Sequence, residues 1–388
     1  MTEQKRQGRS SAGESRERGH SPETKAQAAA KNRKKRHGKY VALLVVEIFA
    51  VVLVSLIAVG FFYVKSKYDV MTVQDQEVSF ERHDIQTNEG IEEKLQEINE
   101  SYQLIMAYGV DARNNTDLLK DANADTDIII CIDRETKQVK LVSVLRDSYL
   151  CMTNGKYRKL TDIYAGYGVK ESLETINKNF DLNINQYVTV NWKALAKAVD
   201  ILGGIDVEVT NAEIRQINEY GKEVSKVTGY KYREMSSGSG ERHLTGEQAV
   251  AFARIRNVTI DGEGHDIARA TRQRKVIKAM LSAAKSASLS DLNTLLNEVL
   301  PMAATNIVFS DALGLMADVA SYEISDQTSF PFKYIDQSNL TTAYVYYNTL
   351  ISNVSELHAF LFGDENYQPS STVQNISSYI DQYRRDHP

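Results

Sequence analysis

Apolar positions follow three rhythms along the chain. The first is an unbroken run, VALLVVEIFAVVLVSLIAVGFFYV from Val41 to Val64, with Glu47 as its only charge. As a helix it reaches ~36 Å, enough for a hydrocarbon core of ~30 Å, so it predicts one transmembrane helix. A core helix in a soluble domain is rarely apolar on every side for so long. The second rhythm is the short strand. LIMAYGVD (104–111) is an apolar run that delivers Asp111 to its tip, and DIIICID (127–133) is apolar enough to be buried on both faces. VKLVSVL (139–145) pairs with it across the turn RETKQ, a register that sets Cys131 opposite Lys140. Cys151 lies well beyond that register, so both cysteines are expected as free, buried thiols.

The third rhythm is helical. Val169, Leu173, Ile176 and Phe180 form a stripe, and strand QYVTVN (186–191) follows. WKALAKAVDIL is a helix stopped at Gly203–Gly204, then comes strand IDVEV (205–209) and a polar loop with SSGSG (236–240). Thr245 and Gln248 form a capping box opening GEQAVAFARI, and a long helix runs from about His265 to Ser286. Residues 290–320 are expected to be helical, and the tail after 366 ends in a short helix. Strands alternating with helices predict an α/β domain: an α-β-α sandwich with a central mixed sheet, preceded by one transmembrane helix. The expected divisions are a tail (1–40), anchor (41–64), stalk (65–100), globular domain (101–365) and C-terminal tail (366–388).

Charge orients this arrangement. Residues 1–39 hold 12 Lys and Arg against 4 acids, whereas the other 349 residues carry a net −13. Six of those cations, from Lys31 to Lys39, stand just before the apolar run, which puts the N-terminus in the cytoplasm and the large domain outside the cell membrane. An acidic folded part, and a tail without a helix-turn-helix pattern, speak against nucleic acid as a partner.

The candidate chemistry lies at strand tips and helix ends. Asp111 ends the first strand, Asp125 and Asp127 open the second, Arg146–Asp147 end the third, and Lys159 begins KLTDIYAGYG. Asp266, Arg269 and Gln273 share one helix face by their spacing. Arg254 and Arg256 can share a side only if the helix ends there and the chain extends. No Walker loop, HExxH pair or GxSxG elbow is present. Arginines converging with carboxylates form either a structural ion-pair network or a polyphosphate site, with forked guanidinium groups on phosphate oxygens and acids on a hard divalent cation.

GVDAR, TDIIICID, SVLRDSYL, KLTDIYAGYG, VDILGGIDVEV, LTGEQAVAFARIR and HDIARATRQRKVI occur in the order seen in LytR-CpsA-Psr proteins, which the chain resembles over about 100–365. The resemblance implies a transferase that moves a glycopolymer from an undecaprenyl-pyrophosphate carrier to peptidoglycan, with Mg²⁺, at the outer face of the membrane. A muramic acid C6 hydroxyl would attack the sugar-linked phosphorus, and undecaprenyl phosphate would leave. Carried over by position, Asp111 and Asp127 match the metal-binding acids. Arg146, Arg254, Arg256 and Arg269 match the pyrophosphate-binding arginines, while Lys159, Asp266 and Gln273 match further pocket positions. Arg146, Asp147 and Asp266 are the residues expected nearest the chemistry. Many members carry Arg where this chain has Asp125, and Leu145 replaces a Pro or aromatic residue. A hydrolase of the same lipid and a non-enzymatic wall-binding module are the competing readings.

Overall fold

The computed structural model describes residues 65–66, 80, 82–111, 118, 122–335 and 344–387. The apolar span, its basic flank and the tail and anchor boundaries lie outside the described residues. Among the described residues no helix is long and apolar enough to cross a membrane.

Helix α1 (Glu92–Ser101) leads into β1 (Tyr102–Val110), β2 (Ala124–Asp133) and β3 (Gln138–Val144). A small hairpin follows, β4 (Tyr149–Cys151) with β5 (Tyr157–Lys159), then α2 (Leu160–Phe180) and β6 (Gln186–Asn191). A second lobe comprises α3 (Trp192–Ile201), β7 (Ile205–Val209), α4 (Asn211–Thr228), β8 (Gly240–Leu244) and α5 (Gly246–Ala253). The chain then forms α6 (His265–Lys285), α7 (Leu289–Glu298), β9 (Ala303–Thr305), α8 (Phe309–Ala317) and β10 (Glu323–Phe330). It closes with β11 (Tyr334–Ile335), β12 (Tyr346–Tyr347), α9 (Leu350–Phe362) and α10 (Ser371–Asp386).

Six strands form the central sheet in the order β10-β3-β2-β1-β6-β9. Both β1–β2 and β2–β3 are antiparallel, whereas β1–β6 and β3–β10 are parallel, so the sheet is mixed. The period-2 pattern sends alternate residues to opposite layers. Leu104, Met106, Tyr108, Ile129 and Cys131 meet α2, α9 and α10, whose Val169, Leu173, Ile176 and Phe180 stripe is fully buried. Ile105, Ile128 and Ile132 meet Ile277 and Leu281 of α6 on the other face. The expected Cys131–Lys140 register holds, and both cysteines are free and buried.

Helix α6 has no single apolar stripe, because it packs two ways. Ile277 and Leu281 face the sheet, while Val276, Ala279, Met280 and Ala283 face the second lobe. Its first turns therefore open onto the seam between sheet and lobe.

Several elements differ from expectation. Strand IDVEV pairs with β8 in the second lobe and not with the central sheet, because β9 occupies the place beside β6. Residues 211–228 form a helix where only a polar loop was expected; its capping box, Thr210 with Glu213, and its buried Ile214, Ile217 and Val224 were the available signals. The stretch 290–320 is interrupted by β9. Residues 82–100, placed in the stalk by their polarity, put Ile85, Leu95 and Ile98 into buried positions, and Asn88 donates to Asp181 Oδ1 at 2.6 Å. The C-terminal tail likewise belongs to the main core, through Val373, Ile376 and Ile380.

Because α10 is packed into the sheet layer, Ile380→Ala should lower the unfolding free energy by about 2–4 kcal/mol, measured by denaturant unfolding. An unchanged midpoint would mark α10 as an appendage.

Candidate functional site

A β-bulge begins the site. Gly109 pairs with Thr126 and Val110 with Ala124, which leaves Asp125 as the extra residue. A Cβ at Gly109 would stand 2.9 Å from Thr126 Cβ, so only glycine allows this approach. Asp125 thereby turns toward the seam, whereas Asp127, opposite Tyr108, shares the α2 side of the sheet with that ring. Arg146 follows β3 and pairs closely with Asp125. Helix α5 ends at Ala253, and the chain extends to bring Arg256 Nε to 3.2 Å from Asp266 Oδ1. From the first turns of α6, Arg269 reaches Asp266 at 2.9 Å and Asp125 at 4.0 Å.

Asp125, Arg146, Arg256 and Arg269 border a cavity of about 340 Å³ between the sheet and the second lobe, with Asp266 behind the arginines it pairs. One wall is charged, with Asp111, Asp125, Arg146, Arg256, Arg269 and Gln273. The other is largely apolar, with Val190, Trp192, Leu195, Tyr220, Val250 and Ala253. Beside Arg146, Lys159 Nζ stands 3.1 Å from Asp147 Oδ1.

The sequence-predicted residues thus mostly meet. Arg254 lines the same cavity but is turned away from the other arginines. Its guanidinium carbon lies 3.9 Å from the centroid of the Trp192 ring and its Nη2 lies 3.1 Å from Glu223. Arg272, one turn after Arg269 on α6, is fully buried and donates to Glu213 and to the carbonyls of Ile255 and Val258. It ties α6 to the second lobe. Asp127 is beneath the cavity and does not line it. An apolar lining for a lipid tail is what the Val-, Leu- and Ile-rich strands and helices imply, but its particular residues are not singled out by the sequence; the chain's single Trp, immediately after strand β6, is the signal that could find them.

The electrostatics divide the acids. Burial raises the Asp266 pKa, and the neighbouring Arg256 and Arg146 only partly offset this. Burial acts against the charged form of Arg146 too, but Asp125, Asp147 and Asp266 outweigh it and raise its pKa. Asp127 is 2% exposed, and neither carboxylate oxygen has a hydrogen-bond partner. Burial, and then the charge of Asp125, push its pKa well above the usual carboxylate range. Arg146 Nε and Arg269 Nε are also buried without hydrogen-bond partners. Unused donors and an unused carboxylate in one place fit an anionic group together with a hard cation. Among the described residues no cluster of three or more metal-ligating side chains exists; a hard cation held by one or two carboxylates would complete its shell with water or phosphate oxygens.

An α/β domain with an arginine-lined pocket at the seam of sheet and lobe is the class these features define. The LytR_cpsA_psr family pattern matches residues 66–361, and the chain belongs to the LytR-CpsA-Psr family. A relative from Bacillus licheniformis, named polyisoprenyl-teichoic acid–peptidoglycan teichoic acid transferase TagU, is 28% identical over 209 residues, or 53% of this chain and 60% of the relative. The Enterococcus faecalis protein of the same name is 27% identical over 276 residues, 71% of this chain and 82% of that one. The chain therefore spans about 60% of the length of the first relative and more of the second. The fold resembles the solved YwtF (TagT) structure with bound octaprenyl pyrophosphate lipid, with a TM-score of 0.51, 21% identity, and coverage of 69% of this chain and 92% of that one.

An acid with a raised folded-state pKa favours folding at low pH, and that advantage is lost as pH rises from the unfolded value toward the folded one. Asp127→Asn, neutral at every pH, should therefore raise the melting temperature at pH 7 without divalent cations, by about 2 °C or more, and flatten its fall between pH 4 and 7. A lower melting temperature for Asp127→Asn at pH 7 would show that the buried carboxylate stabilises the fold.

Proposed function

We propose that the protein transfers a glycopolymer from a polyprenyl-pyrophosphate carrier, undecaprenyl in the cell, to peptidoglycan, forming a phosphodiester. The observation that carries this reading is the convergence of Arg146, Arg256 and Arg269 from three separate elements onto one cavity whose facing wall is apolar. Forked donors suit a pyrophosphate, and an apolar wall suits the first isoprene units beside it. The names of the relatives support the same chemistry.

In this reading the arginines bind the two phosphates and orient the sugar-linked phosphorus toward the acceptor. Asp125 and Asp266 hold the guanidinium groups until phosphate oxygens take their place. The acceptor hydroxyl attacks that phosphorus, the bridging P–O bond breaks, and polyprenyl phosphate leaves. Phosphoryl transfer of this kind needs positioning and charge neutralisation more than covalent catalysis. Asp266, with its raised pKa, is suited to take the acceptor proton, and the Asp147–Lys159 pair fixes the orientation of the strand tip that carries Arg146. Asp111 and Asp127 would hold Mg²⁺, which when bound neutralises phosphate charge. Arg254, stacked on Trp192, shapes the pocket wall where the carrier enters. The large domain works outside the cell membrane, with the N-terminus in the cytoplasm and Val41–Val64 as a single-pass anchor.

The test supplies the full chain in detergent with a lipid-pyrophosphate-linked glycan, peptidoglycan and Mg²⁺. A covalent phosphodiester product is expected. Release of free glycan phosphate without a wall-linked product would instead favour the hydrolase reading. Arg256→Lys keeps the charge but removes the fork, and should slow transfer about tenfold or more, equivalent to ~1.4 kcal/mol. Full activity in Arg256→Lys would place Arg256 outside the pyrophosphate contacts.

A further inference from the structure

A second chemistry adjoins the pocket. The β4–β5 hairpin sets Tyr157 and Lys159, two residues apart, on one face. Helix α10 crosses that face with Tyr379 and Tyr383 one turn apart. The Tyr157 and Tyr379 rings stack with centroids 4.2 Å apart at 17°, and Tyr383 stacks on His387 at 4.2 Å. Tyr149 joins the array, 5.5 Å from Tyr383 and 4.7 Å from Tyr344. Lys159 links it to the pocket, because its ammonium is 5.5 Å from the Tyr344 ring centroid and 3.1 Å from Asp147, the neighbour of Arg146.

Burial is graded across the array. Tyr149 and Tyr346 are core, whereas Tyr157, Tyr344 and Tyr383 are half-buried and Tyr379 is 47% exposed. Val373, Ile376, Ser377 and Ile380 lie on the buried face of α10, and Tyr383 packs at its edge. One face of the Tyr379 ring stacks on Tyr157, and the rest of the side chain is open to solvent. Rings with an apolar body and a hydroxyl edge match sugars, which present apolar C–H faces ringed by hydroxyl groups.

We propose that this tyrosine array is the docking surface for the acceptor glycan strand, a chain of N-acetylated hexosamines, and leads it past Lys159 to the pocket. The proposal rests on the transferase reading above, and continuity decides the occupant. The array runs through Lys159 and Asp147 to Arg146, so a polymer lying on it brings one of its hydroxyl groups to the phosphate site. Its rings suit a largely uncharged polymer better than the anionic carrier.

The experiment uses the full chain in detergent micelles, co-sedimented with purified peptidoglycan sacculi. Tyr379→Ala should weaken binding about fivefold, and Tyr379→Trp should restore it. In the transfer assay Tyr379→Ala should raise the acceptor KM by a similar factor and leave kcat at saturating acceptor unchanged. The rise in melting temperature on adding a prenyl pyrophosphate analogue should be the same in Tyr379→Ala and the wild type, which separates docking from the carrier site. If the analogue stabilises neither protein but sacculus binding still depends on Tyr379, the carrier reading fails and the docking surface stands. Wild-type sacculus binding by Tyr379→Ala overturns the proposal, as does a loss confined to binding of phosphatidylglycerol vesicles, which would make the rings a membrane contact.

Discussion

Three guanidinium groups share one seam, and the carboxylates of Asp125 and Asp266 hold them there. Like charges about 4 Å apart repel by on the order of 4 kcal/mol at a protein-like effective dielectric, so such a cluster persists only with acids or an anion inside it. The rest of the architecture serves that balance. The bulge in β2 turns Asp125 inward, the end of α5 releases Arg256 from helical spacing, and α6 brings Asp266 and Arg269 together on one face. Arg272 then anchors α6 to the second lobe through Glu213, at 2.9 Å and fully buried, so the seam keeps its width. A helix between two layers cannot show one apolar stripe, and the mixed pattern of α6 is the sequence signature of its position.

Much of this was legible in the residues. The sheet strands read directly, because β1, β2 and β3 are apolar on both faces and the RETKQ turn fixes their register. The stripe of α2 was legible because one face meets the sheet and the other does not. The spacing of Asp266, Arg269 and Gln273 on one helix, and of Arg254 and Arg256 across a helix end, described two sides of the pocket before any fold was known. Family resemblance added the roles, and periodicity alone would not have separated a phosphate site from an ion-pair network.

What stayed hidden was set by tertiary contacts. No pattern in ADTDIII marks the bulge that sends Asp125 to the pocket and Asp127 beneath it. Arg254 reads as an equal of Arg256, yet the faces of Trp192 and Tyr220, 3.9 and 5.3 Å away, draw it aside. Helix α4 looked like loop because its polar face dominates, and α1 and α10 looked peripheral because each buries only a few residues. Their burial depends on surfaces from distant parts of the chain, which local sequence does not report.

The central claim is that these arginines form one pyrophosphate site in which Asp125 and Asp266 occupy the place of the ligand's negative charge. A solved structure of the full chain with a prenyl pyrophosphate tests it most directly. The account predicts phosphate oxygens within hydrogen-bond distance of Arg146, Arg256 and Arg269, the Arg256–Asp266 pair loosened, and the prenyl chain against Val190, Leu195 and Val250. A pyrophosphate bound elsewhere, with the ion pairs unchanged, would make the cluster a structural network and contradict the account.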